Sequence, residues 1–114
     1  MNNRGKSGEC AAGEYLKTAG YIIIEINYHC RFGEVDIIAK NDEFLVFAEV
    51  KTRKRGAMIS GLESVNSHKI RRIMRTAELF LSQHEYELQP RIDVIEMLDE
   101  NGCLTVVNHI ENAL

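Results

Sequence analysis

A chain of 114 residues, 45% hydrophobic and 27% charged, is long enough for one domain around a single core and reads as a soluble globular protein rather than a disordered one. Apolar runs such as Tyr21 to Ile24 are too short to cross a membrane, and the amino-terminal MNNRGKSGE lacks the hydrophobic stretch of a secretory signal. Cys10, Cys30 and Cys103 are widely spaced and odd in number, which excludes a complete disulfide framework and a CxxC zinc site and points to a reducing cytoplasm; His29, His68, His84 and His109 form no zinc-binding pattern and read as surface or packing residues.

The first predicted element is a helix over Lys6 to Ala19, with Ala11, Ala12, Tyr15, Leu16 and Ala19 as its apolar stripe and Gly20 as its stop. Glu9 lies at the margin of that stripe, so it either looks inward or simply favours the helix N-terminal dipole. Tyr21 to Asn27 is β-branched and predicts a first strand, with Tyr28 to Phe32 turning into a hairpin.

Gly33 to Arg53 (GEVDIIAKNDEFLVFAEVKTR) predicts that hairpin: two stretches alternate with period 2, and Asn41-Asp42-Glu43 supplies turn chemistry. Closure around Asp42 and Glu43 makes opposed residue numbers sum to 85, which sets Asp36 against Glu49 and Glu34 against Lys51. Two carboxylates opposed on one face have Cβ atoms roughly 4.5–5.5 Å apart and repel unless something positive lies between them. A hard divalent cation, Mg²⁺ or Mn²⁺, suits such oxygens. With Lys51 projecting beside it, that pair suits phosphodiester hydrolysis, in which the ion polarises a phosphoryl oxygen and the ammonium meets developing charge. The same residues also fit a solvated hairpin face with ordinary salt bridges, Glu34 to Lys51 among them.

Net charge is −3, yet the segment from Lys51 to Arg75 holds eight of the fourteen Lys and Arg and one acid, Glu63. That block is an electrostatic footprint for a polyanion such as a phosphate backbone, or else a solvated helix face and a basic loop. Thr52 to Ser64 has no sustained period and predicts a mobile basic loop, starting at Arg53, Lys54 and Arg55. A long helix is predicted next over Val65 to Gln83, with the stripe Ile70, Ile73, Met74, Ala77, Phe80 and Leu81, Lys69 at its margin, and Arg71, Arg72 and Arg75 facing outward. Arg91 to Leu98 alternates as a fourth strand, Asn101-Gly102 signals a hairpin turn, and Leu104 to Ile110 completes a fifth strand.

The predicted order α-β-β-β-α-β, with an added C-terminal strand, describes an α/β fold with a mixed sheet flanked by helices. It resembles the restriction-endonuclease-like core, whose acidic hairpin carries the motif D-(x)n-(D/E)-x-K; Asp36, Glu49, Val50 and Lys51 match it. Gly8-Glu9, Ala12, Tyr15-Leu16, Gly20-Tyr21, Asn27, GEVDIIA, FAEVKTR, Lys69, Ala77 and RIDV together resemble the YraN family of uncharacterised bacterial proteins, which is similar to Holliday-junction resolvases. The resemblance spans nearly the whole chain. It implies that Glu9, Asp36, Glu49 and Lys51 form a nuclease constellation, that Asp36 and Glu49 with Glu9 hold Mg²⁺ or Mn²⁺, and that the protein acts on branched DNA as a homodimer. Arg53, Lys54, Arg55, Lys69 and Arg72 are the expected nucleic-acid contacts. Two other readings stay open: a nucleic-acid-binding module without turnover, and a structural protein whose basic segment meets an acidic partner.

Overall fold

The computed structural model describes residues 4–54 and 67–113. In chain order these form α1 (Arg4–Thr18), β1 (Ile22–Cys30), β2 (Gly33–Lys40), β3 (Phe44–Lys54), α2 (Ser67–Gln83), β4 (Gln89–Glu100) and β5 (Cys103–Ile110). The five strands make one mixed sheet in the order β1-β2-β3-β4-β5, antiparallel except where β3 pairs parallel with β4. A parallel pair needs a crossover, and α2 lies in it.

Local chemistry sets the element ends. Gly20 adopts φ 99, and Tyr21 N–H donates to Leu16 C=O at 2.9 Å, which closes α1 with a left-handed glycine cap. Asn41 Oδ1 accepts the N–H groups of Glu43 and Phe44 at 2.9 and 2.7 Å, an Asx turn that fixes the β2–β3 register. That register pairs Ile37 with Ala48, Ile38 with Phe47, Ala39 with Val46 and Lys40 with Leu45, each summing to 85 as the turn chemistry predicts. Asn101 and Gly102 both have positive φ, the requirement of a two-residue hairpin turn between Glu100 and Cys103.

Each helix covers one face of the sheet. Ala12 and Leu16 of α1 pack with Tyr21, Ile37, Ala39, Val46, Ala48, Ile95 and Met97; Ile73, Ala77 and Phe80 of α2 pack with Val35, Ile38, Leu45, Phe47 and Ile92 on the other side. Covered on both faces, β4 is buried continuously from Arg91 to Met97.

Three expectations need correction. β1 runs on to Cys30, so only Arg31 and Phe32 remain as the turn into β2. Arg53 and Lys54 belong to β3 rather than to a loop, because the parallel ladder continues through Arg53–Leu98 and Lys54–Asp99; Arg55 and the rest of the predicted loop lie outside the described residues. Ala19 and Met74 are exposed, since the helix faces that bury residues are narrower than their apolar stripes.

Candidate active site

Asp36 and Glu49 stand one step beyond the last recorded β2–β3 pair, where Asp36 Oδ2 accepts a hydrogen bond from the Val50 N–H at 2.8 Å. The strand changes face there. Val35 packs in the α2-side cluster and Ile37 in the α1-side cluster, although residues two apart in a regular strand share a face. Asn27, between the pairs Ile26–Ile37 and Tyr28–Val35, has φ 58, so β1 departs from regular strand geometry opposite Asp36. Asp36 therefore sits at a changeover between the layers and interacts with both Glu9 of α1 and Glu49 of β3.

Glu9 reaches this point because α1 approaches β3 closely. A Cβ at Gly8 would stand 2.7 Å from Thr52 Oγ1 and 3.8 Å from Val50 Cγ1. Gly8→Val should push the helix off the strand and cost about 1–3 kcal/mol in thermal or urea unfolding, the usual range for overpacking. Unchanged stability would show that Thr52 simply rotates away.

Glu9, 9% exposed, and Glu49, 6% exposed, are buried and Asp36 is half-buried; Glu9 Oε2 has no hydrogen-bond partner among the described residues. Burial, the Glu49 charge and the approach of Glu9 push the Asp36 carboxyl up to about 7, against the pull of the Val50 N–H. Glu49 is compensated differently. Lys69 Nζ of α2 stands 2.5 Å from Glu49 Oε1, and Lys51 Nζ stands 3.4 Å from the same oxygen. Burial and the adjacent Lys69 lower the Lys51 pKa; burial also pulls on Lys69, but its hydrogen bond to Glu49 outweighs that and raises it.

Of the residues expected at the site, Glu9, Asp36, Glu49, Lys51 and Lys69 are thus brought together. Lys69 joins the acids directly, although its place on the helix margin suggested only a phosphate contact. Arg72 lines a cavity of about 690 Å³ that also reaches Glu49 and Lys69. Arg53 contacts Glu96 at 3.4 Å. The anticipated Glu34–Lys51 bridge gives way to a contact between Glu34 and its cross-strand partner His29 at 3.3 Å, while Lys51 turns to Glu49. Among the described residues, no group of three or more His, Cys, Asp or Glu has metal-ligand geometry, and two ammoniums, those of Lys69 and Lys51, approach the same Glu49 oxygen.

A second polar cluster is not apparent in the sequence. Asp93, fully buried in β4, accepts from Arg91 Nε and Nη2 at 2.9 Å each and from the Asn112 N–H at 3.0 Å, and its Oδ2 lies 2.7 Å from His109 Nε2. His109 Nδ1 is 2.8 Å from the Tyr15 hydroxyl of α1, and Arg91 Nη2 also donates to the Tyr21 hydroxyl. Burial would raise the Asp93 pKa, but the bonds from His109, Arg91 and Asn112 hold it below the usual carboxylate value. The one sequence signal is a pair of opposite charges, Arg91 and Asp93, at alternate positions of the RIDV segment, which demands internal pairing where that segment is buried.

A family model described as "Uncharacterised protein family UPF0102" matches residues 8–97, from Gly8 in α1 into β4. Similar proteins, each described as a UPF0102 protein, occur in Clostridium botulinum (43% identical over 96 residues, 82% of this chain and 78% of the relative), Alcanivorax borkumensis (39% over 113 residues, 97% and 90%) and Caldanaerobacter subterraneus (39% over 112 residues, 96% and 92%). Both the matched span and the extent of these similarities show that the chain belongs to the uncharacterised protein family UPF0102, the YraN family that its motifs resemble.

Proposed function

We infer that this protein is a metal-dependent endonuclease that hydrolyses phosphodiester bonds in DNA, with branched or otherwise structured DNA as its substrate class, on a restriction-endonuclease-like core. The observation that carries this reading is the meeting of Glu9, Asp36 and Glu49 with Lys51 and Lys69 where β2 changes face, with the Asp36 carboxyl pushed up to about 7. Buried carboxylates that repel one another, one with an unsatisfied oxygen, suit a hard divalent cation in donor chemistry. Glu9, Asp36 and Glu49 would hold Mg²⁺ or Mn²⁺. When bound, the ion would polarise the phosphoryl oxygen and acidify the attacking water.

The residues around it divide the remaining work. Asp36, with its carboxyl raised to about 7, would give up its proton on holding a cation, which would couple loading to proton release. Lys69 keeps its charge beside Glu49, where its ammonium would meet the charge of a phosphate oxygen. Lys51, with its lowered pKa, is the group suited to exchange a proton with the water or the leaving oxygen. Arg72 extends the positive surface along the cavity. A homodimer would present two such centres, one for each strand of a junction, and the three free cysteines suit a reducing cytoplasm.

Purified protein with Mn²⁺ or Mg²⁺ should cut at least one substrate in a panel of linear, flap and four-way DNAs. Glu49→Gln and Asp36→Asn should each slow cleavage by about a hundredfold or more, the scale of a lost transition-state stabiliser. Metal-independent cleavage, or cleavage that survives both substitutions, would overturn this assignment. The ion pairs that already compensate Glu49 favour one second reading, a nucleic-acid-binding module without turnover. Salt-sensitive DNA binding with no cleavage across the panel would select it.

A further inference from the structure

Phe32 stands apart from the core that the described residues form. It occupies the two-residue turn between Cys30 and Gly33, where turn chemistry favours small or polar residues, and it belongs to neither apolar cluster. Its surroundings are cationic instead. The Arg31 guanidinium carbon lies 4.9 Å from the ring centroid and that of Arg75, on α2, lies 6.0 Å away. The turn is tied to α2: Cys30 Sγ donates to Thr76 Oγ1 at 3.6 Å, the Phe32 N–H donates to Cys30 Sγ at 3.4 Å, and Gly33, at φ 145, lies close enough that a Cβ there would stand 3.6 Å from Arg72 Cβ.

This half-buried ring also lines the cavity of about 690 Å³ that contains Glu49, Lys69 and Arg72. That volume lies within the roughly 300–1,000 Å³ of ligand pockets. Its lining brings together Glu49 and Lys69, from the acid and lysine cluster, with the aromatic ring of Phe32 and the guanidinium groups of Arg31 and Arg72. Planar cations and aromatic rings are the surfaces on which unstacked bases settle, whereas a continuous duplex keeps its base faces stacked inside and exposes only phosphates, sugars and base edges.

We propose that Phe32, with Arg31 and Arg75, is a stacking platform for one unpaired nucleobase, so that the site selects DNA with a splayed or single-stranded nucleotide beside the phosphate held near Glu49. The base adds to the ring and guanidinium stack or takes the place of the exposed Arg31 side chain. This rests on the nuclease reading for the nature of the ligand, but it assigns a selectivity that the acids and lysines do not supply.

Binding in EDTA separates it from catalysis. A blunt duplex and a forked DNA with 2-aminopurine at the first unpaired position are titrated with wild type, Phe32→Leu, Phe32→Trp and Arg72→Ala. Wild type should prefer the fork and perturb 2-aminopurine fluorescence. Phe32→Leu should weaken fork binding about tenfold, the lower part of the range for removing one base–aromatic stack, with duplex affinity unchanged. Phe32→Trp should keep the preference, and Arg72→Ala should weaken both DNAs alike. Equal loss on both DNAs in Phe32→Leu, or no loss on either, overturns the platform while leaving the nuclease reading standing. Wild type that binds neither DNA, with or without metal, overturns both.

Discussion

Asp93→Ala should cost about 3–5 kcal/mol of folding stability, the range for breaking a buried ion pair by removing one partner. The substitution leaves the Arg91 guanidinium, 8% exposed, without the carboxylate that accepts two of its N–H groups, and strips the same acceptor from His109 and the Asn112 N–H. Among the described residues, only Glu111 remains within ion-pair range of Arg91, at 3.4 Å, and its side chain is largely exposed. Against a total of about 5–15 kcal/mol for a domain, such a loss would unfold much of the protein at 37 °C. Urea unfolding followed by circular dichroism measures it. Changing both partners, Arg91→Met with Asp93→Leu, should cost less than Asp93→Ala alone, because no charge is then left buried and unpaired. An Asp93→Ala midpoint within about 1 kcal/mol of wild type would mean that Arg91 turns to water.

The reach of this cluster explains why it is hidden in the chain. Tyr15 and His109 are separated by 94 positions and Arg91 and Tyr21 by 70, and nothing in the local pattern of any one element names its partners. His109 reads as a surface or packing residue until β5 is laid beside β4 and α1 across both. The β2–β3 register is different, since Asn41 closes the turn with its own side chain, so the pairs from Lys40–Leu45 to Ile37–Ala48, and with them the approach of Asp36 to Glu49 one step beyond, follow from counting outward from local chemistry. Counting could not foresee the face change at Asp36, which accompanies the left-handed backbone of Asn27 on another strand. Nor could it rank the lysines competing for Glu49. Lys51 shares its strand and is visible; Lys69 arrives only because α2 packs over β2 and β3. Family membership likewise follows from motifs spread over most of the chain, whereas the extent of β3 through Lys54 depends on a parallel partner some forty-five residues later, Asp99.

The strain stored at Asp36 has a pH signature that separates a functional acid cluster from a hairpin surface. Its carboxyl is raised from 3.8 to about 7, so between those values the folded protein binds a proton that the unfolded chain has released. Stability from this group is fully present below the unfolded pKa and is lost as pH rises through about 7. Asp93 acts with the opposite sign: its depressed pKa supplies stability above the unfolded carboxylate value, lost as pH falls through the folded one. Wild-type stability alone would therefore mix the two, and the difference between wild type and Asp36→Asn isolates the first. Asparagine imitates protonated aspartate, since its carbonyl can accept the Val50 N–H and its amide can donate to Glu9. In EDTA, Asp36→Asn should match wild type near pH 4 and exceed it by a few kcal/mol at pH 8, with the gap opening between them at up to about 1.4 kcal/mol per pH unit. Mn²⁺ at pH 8 should then close the gap by stabilising wild type more than Asp36→Asn, because an ion that binds only the folded state acts by mass action on the carboxylates it contacts. A difference that stays flat from pH 4 to pH 8, with equal responses to Mn²⁺, would mean that Asp36 is an ordinary solvated carboxylate, and the active-site assignment would fall with it.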